Sequence, residues 1–175
     1  MSEYLGGSLL VATPRLHDPN FWRSVVLLLQ HDEEGTIGVV LNRPTVEMVS
    51  THVPAWGPVA AKPGVVHLGG PVEPEVAIGL ATGQGGEPTG VPGLCMVDLE
   101  ASPTPDLTAV RIYSGYAGWG AGQLEAEIAE GSWYVVPAAP DDPFDRPEGQ
   151  WSRVLGRQRG YLSLVSSFPD DVSLN

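Results

Sequence analysis

Tyr113-Ser114-Gly115-Tyr116-Ala117-Gly118-Trp119-Gly120-Ala121-Gly122-Gln123-Leu124-Glu125-Ala126-Glu127-Ile128 is the stretch on which the fold turns. Four glycines fall within eight positions, at 115, 118, 120 and 122. A strand-like run, Ala109–Tyr113, precedes them, and a helix-like run, Gln123–Glu130, follows. The segment therefore reads as strand, glycine-rich loop, helix. Such a loop adopts backbone conformations closed to other residues and brings its amides close to a ligand. Strand, glycine turn and helix N-terminus are also the parts of a dinucleotide site, and Asp141-Asp142 lies downstream where a ribose contact would be. The match fails in detail. Gln123 stands where the third glycine belongs, the helix is short, and no Gly-Lys pair exists for a phosphate loop. The simpler reading is a tight turn packed under Trp119.

Outward from this segment the chain is rich in short apolar runs. Ser8–Thr13 is a strand stopped by Pro14. Ser24–His31 is a continuous apolar run that opens on the β-branched pair Val25-Val26, which predicts a strand buried on both faces. With Thr36–Leu41 across the acidic turn Asp32–Gly35, it forms a β-hairpin. Thr45 is placed to cap a short helix through Thr51. Further strands are expected at Val65–Leu68, Glu75–Ala81, Leu94–Leu99, Leu107–Tyr113 and Ser132–Val136, with a Gly/Pro-rich loop at Thr82–Pro92. Gln150–Gln158 has Trp151, Val154 and Leu155 on one helical face. Tyr161–Phe168 extends it or forms a second helix, and Pro169–Asn175 reads as an irregular tail. Strands outnumber helices too far for an alternating βα fold. A single α+β domain around one mixed sheet, spanning residues 1–175, is expected.

Composition narrows the function classes. Hydrophobic residues make up 42% and charged residues 17%, which suits a packed core. Nine basic against 21 acidic residues give a net charge of −12. That field repels phosphate backbones, so direct nucleic-acid binding is not expected, although Arg15, Arg23 and Arg43 share one N-terminal stretch. The N-terminus shows no leader pattern and no run approaches the roughly 18 apolar residues of a spanning helix, so the chain reads as soluble and cytoplasmic, with no membrane partner.

Few residues suggest chemistry. Cys95, the single cysteine, sits in an apolar run and reads as a small core residue. Gly-x-Ser-x-Gly is absent, and Ser114 reads as a turn residue. His17, His31, His52 and His67 show no metal-ligand spacing, and no cofactor is implied. Leu124 and Ile128 face the core while Glu125 turns away. The hairpin ends carry more. Asp18-Pro19-Asn20-Phe21-Trp22-Arg23 leads into one strand and Asn42-Arg43-Pro44 leaves the other, so Arg23 and Arg43 should be neighbours. They pair with Asp18 or cap backbone carbonyls, or else they form an anion site.

Three segments together carry a resemblance. They are Gly7–Pro44, His67–Val72 (His-Leu-Gly-Gly-Pro-Val) and Arg111–Pro137, whose run Gly115–Glu125 is the most specific. The chain resembles the YqgE/AlgH family of bacterial proteins over nearly its whole length. The resemblance implies a compact α+β fold with a mixed, partly barrel-like sheet and a few short helices. It brings no catalytic residue or cofactor. The family's label as a transcriptional regulator linked to alginate production implies a regulatory role without establishing DNA contact. This sequence has no basic recognition helix, and Arg153, Arg157 and Arg159 are its best local cluster for a regulatory contact.

Two readings follow. The first is a non-enzymatic regulatory or interaction protein that acts through a protein partner. The alternative is a small-anion or nucleotide binder, even a hydrolase, built from Asp18, Arg23, Asn42, Arg43 and the segment holding Gly115, Tyr116, Gly118, Trp119 and Gln123. A weaker third reading makes Tyr116 and Trp119 exposed anchors for a partner.

Overall fold

A computed structural model describes residues 5–169. The expected irregular tail at 169–175 lies almost wholly outside the described residues, as do residues 1–4 at the N-terminus. The strands are β1 (Ser8–Ala12), β2 (Val25–Asp32), β3 (Gly35–Val40), β4 (Pro44–Met48), β5 (Val65–Leu68), β6 (Val72–Gly83), β7 (Glu87–Pro88), β8 (Leu94–Val97), β9 (Leu107–Gly120) and β10 (Trp133–Pro137). The helices are α1 (Val49–His52), α2 (Gln123–Ala129), α3 (Gln150–Gly156) and α4 (Tyr161–Val165). The main sheet runs β10-β1-β2-β3-β9-β6-β8-β7, with β5 beside β9 and β4 beside β5. The β5–β9 pairing is parallel and the other strand pairings are antiparallel. The sheet is mixed and curls into a half-barrel, as the α+β reading and the family resemblance imply.

Strand periodicity sorts the core. Leu9, Val11, Val25, Leu27 and Val39 point to one face, covered by Trp151, Val154 and Leu155 of α3 and Val165 of α4. Leu10, Ala12, Val26, Leu28 and Val40 point to the other, covered by Leu124 of α2 with Trp119 and Trp133. The apolar run at 25–28 is therefore buried on both faces, as its composition implies. A third cluster joins Val110 and Ile112 of β9 to Val49 and Trp56. Cys95 belongs to it, and its thiol donates to the Ala81 carbonyl at 3.4 Å.

The glycine segment is not a loop. It continues β9 to Gly120, which corrects the reading of strand, loop and helix. Residues 107–116 of β9 pair with β6, and residues 117–120 pair with β3. One strand thus serves both halves of the sheet, and Gly115 lies in the β6-paired half, two residues before the switch to β3. Its φ is +71°, and a Cβ there would lie 2.7 Å from the Gly70 carbonyl oxygen and 2.9 Å from that of Val72. Gly69 fills the gap where the halves part. Its carbonyl accepts Val40 N–H at 2.8 Å and its N–H donates to Ser114 O at 2.7 Å. Glycine density here marks close backbone approach inside a strand.

The helix expected from Thr45 is also corrected. Pro44–Met48 is β4, and α1 begins at Val49. Thr45 donates its hydroxyl to Val66 O at 2.6 Å, so a tertiary contact overrides the capping signal. Within 82–92, the end of β6 and the two-residue β7 replace part of the expected loop.

Candidate functional site

The polar side chains of the glycine segment have internal partners. Glu127 of α2 accepts the Trp119 indole N–H at 3.1 Å and the Trp133 indole N–H at 3.0 Å on one oxygen. Its other oxygen accepts Gln123 Nε2 at 3.0 Å, and Gln123 Oε1 accepts Gly120 N–H at 3.0 Å. Trp119 is 6% exposed, which removes it as a docking anchor. Tyr116 is half-buried and donates to Glu73 at 2.8 Å, a bond that raises its phenol pKa. Glu125 turns back to β2, with Oε1 3.0 Å from His31 Nε2, too poorly aligned for a hydrogen bond. His31 Nδ1 and the Thr36 hydroxyl are 2.7 Å apart. A depression of about 430 Å³ lies against Tyr116, Gly118 and Trp119, but Asp32 and Glu34 line it too. Its sign is wrong for a phosphate.

The hairpin ends are clamped to backbone. Asn42 donates to Arg23 O at 2.9 Å and accepts Val25 N–H at 3.0 Å. Arg43 donates to Trp22 O, and burial lowers its pKa. Arg23 has φ +58° and lies 3.9 Å over the Trp151 ring. It donates to Phe168 O and Pro169 O at 2.7 and 2.6 Å. Asp18 accepts Asn20 N–H at 2.8 Å. Carbonyl capping is thus what these arginines do. Nor does the register bring them to the distal glycines. Gly120 pairs with Gly35 and Gly118 with Ile37, at the turn end of the hairpin. Asn42 and Arg43 follow its open end, roughly 23 Å along the strand at about 3.3 Å per residue.

A different place is open. Two bulges face each other across the β4-β5-β9-β6 sheet. Between Pro44↔His67 and Met48↔Val65, residues 45–47 oppose Val66 alone. Between Val72↔Tyr116 and Ala77↔Ser114, residues 73–76 oppose Gly115 alone. The groove between the bulges holds about 420 Å³. Val66, Ala77 and Ile112 line its floor, and Glu47, His52 and Glu75 its sides. His52 Nε2 and Glu47 Oε2 are hydrogen-bonded at 3.0 Å. Beside it Val46 is 92% exposed and Met48 45%, and Val76 on its lining is 39% exposed. The hydroxyls of Thr45 and Ser114 are already committed to Val66 O and Pro74 O. Among the described residues no group of three or more His, Cys, Asp or Glu is placed to hold a metal.

The AlgH-like family model (DUF179) matches residues 9–163. The chain belongs to the AlgH-like family. A UPF0301 protein of Streptomyces coelicolor is 54% identical over 98% of this chain and 95% of its own length. One from Thermobifida fusca is 45% identical over 98% and 96%. A crystal structure of a Corynebacterium diphtheriae protein matches with TM-score 0.87 and 33% identity over 95% of this chain and 94% of its own. The solution structure of AlgH from Pseudomonas aeruginosa matches at 0.70 with 30% identity, over 95% and 96%.

In this AlgH-like chain the groove residues escape sequence reading because they come from four separated segments and form no motif. A second feature also escapes it. Arg111 interrupts the apolar run 109–113, the one available signal, and is 2% exposed. It donates to Pro143 O at 2.9 Å, Asp145 O at 3.1 Å and Lys62 O at 2.8 Å. Tyr113 joins it on Pro143 O at 3.1 Å. Arg157 pairs with Asp142 at 2.6 Å and Arg153 with Asp145 at 3.0 Å, so the C-terminal arginines fasten the same loop. His67 is fully buried beside Tyr113, with Nδ1 facing Val65 O at 3.2 Å and Nε2 without a partner.

Burial, and secondarily Arg111, pushes the His67 pKa down from 6.5 to about 4. The unfolded chain therefore binds a proton that the folded chain refuses between those values. This stability is present above pH 6.5 and is lost as pH falls towards 4, by up to about 3 kcal/mol. His67→Gln has no such titration. Urea unfolding from pH 7.5 to 4.5 should show the parent losing ground relative to His67→Gln. Parallel pH curves for the two would refute this assignment.

No described helix is long and apolar enough to cross a membrane.

Proposed function

We propose that this AlgH-like chain is a non-enzymatic interaction protein that docks a partner protein at the groove between the two bulges. The carrying observation is Val46, 92% exposed on an edge strand beside an apolar-floored groove. An aliphatic side chain presented so fully, with Met48 and Val76 close by in the fold, suits a docking rim. The residue types that could have served an anion or a reaction support the same reading, because they are used internally. Arg23 and Arg43 hold backbone carbonyls, and Gln123 and Trp119 hold Glu127. A regulatory role, as the family label implies, then runs through that partner in the cytoplasm. With a net charge of −12, direct contact with nucleic acid is disfavoured.

The test is photo-crosslinking in cells from a benzophenone side chain at Val46, with Glu130 as an exposed control position. A discrete adduct with one protein from Val46, absent from Glu130, is the expected result. Identical adduct patterns from both positions, or none from Val46, would rule out this docking surface.

A further inference from the structure

We infer that the groove receives a lysine or arginine side chain, carried between apolar residues on a short segment of the partner protein. This deepens the docking reading and rests on it. Four observations point to the chemistry. The groove has carboxylates on both bulges, Glu47 on one and Glu75 on the other, and no lysine or arginine lines it. Among the described residues Glu75 makes no side-chain hydrogen bond or ion pair, and Glu47 is met by His52 and by the Thr45 hydroxyl at its backbone N–H. The hydroxyls that could read a neutral polar ligand donate to backbone carbonyls instead. The floor of Val66, Ala77 and Ile112 is apolar, which suits the methylene stem of a long cationic side chain while its head reaches the carboxylates.

Volume and sign set the rest. About 420 Å³ is room for one long side chain and part of its neighbour, not for a folded element. Val76 lines the groove on the Glu75 side and Val46 is exposed on the β4 side, so each bulge offers an apolar contact to the residues flanking the cation. The second depression, against Val72 and Tyr116, is lined by Asp32 and Glu34, so its sign is acidic as well. An acidic segment would meet repulsion along this whole face.

The probe is a fluorescein-labelled twelve-residue peptide alternating lysine and leucine, read by anisotropy against the full chain at two salt concentrations. Its glutamate–leucine counterpart is the comparison. The basic peptide should bind and the acidic one should not. Glu47→Gln with Glu75→Gln should weaken binding about tenfold, as expected for two lost charge contacts. Glu87→Gln with Asp106→Asn makes the same change in net charge at exposed sites outside the groove, and should leave binding within about twofold. Equal losses in both double variants would mean that only the overall field attracts the peptide, and would overturn the inference. So would equal binding of the acidic peptide, or no binding of the basic one. The crosslink from Val46 separates the two levels. An adduct mapping to an acidic or uncharged segment of the partner leaves the docking function standing and overturns the cationic chemistry. Absence of any adduct removes both.

Discussion

Replacing Gly115 by alanine should lower stability by about 3–4 kcal/mol, while the same change at Gly122 should lower it by about 1. Both residues have left-handed backbone, with φ +71° and +73°. The added methyl group at Gly122 would meet nothing within 4 Å, so only conformational strain is felt there. At Gly115 it would meet three backbone atoms, at 2.7, 2.9 and 3.1 Å. Backbone on both sides of the bend, Gly70 on one and Val72 to Pro74 on the other, leaves no flexible side chain to yield. The difference between the two variants therefore isolates the collision from the strain. Urea unfolding of both proteins measures it. Equal losses would show that the bend of β9 is not held by close backbone approach.

Removing the Glu127 carboxylate should rank next. Glu127→Ala leaves the indole N–H groups of Trp119 and Trp133, 6% and 3% exposed, without an acceptor. The loss of two charge-assisted bonds with burial of both donors should amount to about 2–4 kcal/mol. Glu127→Gln should fall between. Its carbonyl can still accept both indoles, but its amide N–H₂ would face the donor Nε2 of Gln123. Gln123 cannot simply turn over, because its own oxygen accepts Gly120 N–H. Tryptophan fluorescence during urea unfolding reports on the two rings directly. A stability for Glu127→Ala within about 0.5 kcal/mol of the parent would refute the hub.

Much of the architecture was legible from local pattern. The apolar run at 25–28 announced burial on both faces, and period-two alternation then places each side chain correctly. The helix at Gln123 and the face of Trp151, Val154 and Leu155 were legible for the same reason. The glycine segment was misread because glycine density is a local signal with two causes. A loop needs freedom; a strand crossed closely by other backbone needs the missing Cβ. Only the partners, Gly69, Gly70 and Gly35, distinguish them, and they are distant in sequence. Thr45 failed similarly, since its hydroxyl is claimed by Val66. The proximity of Arg23 and Arg43 to one hairpin end followed from topology, but their acceptors did not. Phe168 and Pro169 come from the other end of the chain. The groove is the least legible part, because bulges are defined by a partner strand's register rather than by residue type.

The place of β1 has a consequence for how the chain is made. It lies between β2 and β10, with Leu9 opposite both Leu27 and Val136. Ala12 O accepts the Trp151 indole at 2.7 Å. β1 is therefore translated long before residues 133–137, and its second edge stays unpaired until they emerge. Until then an apolar three-stranded ribbon stands open along one side, with neither α2 nor α3 yet available to cover it. Pairing over such a separation is slow. Between translation of β3 and β10 the nascent chain therefore carries an unpaired apolar strand edge, the kind of surface through which folding intermediates aggregate.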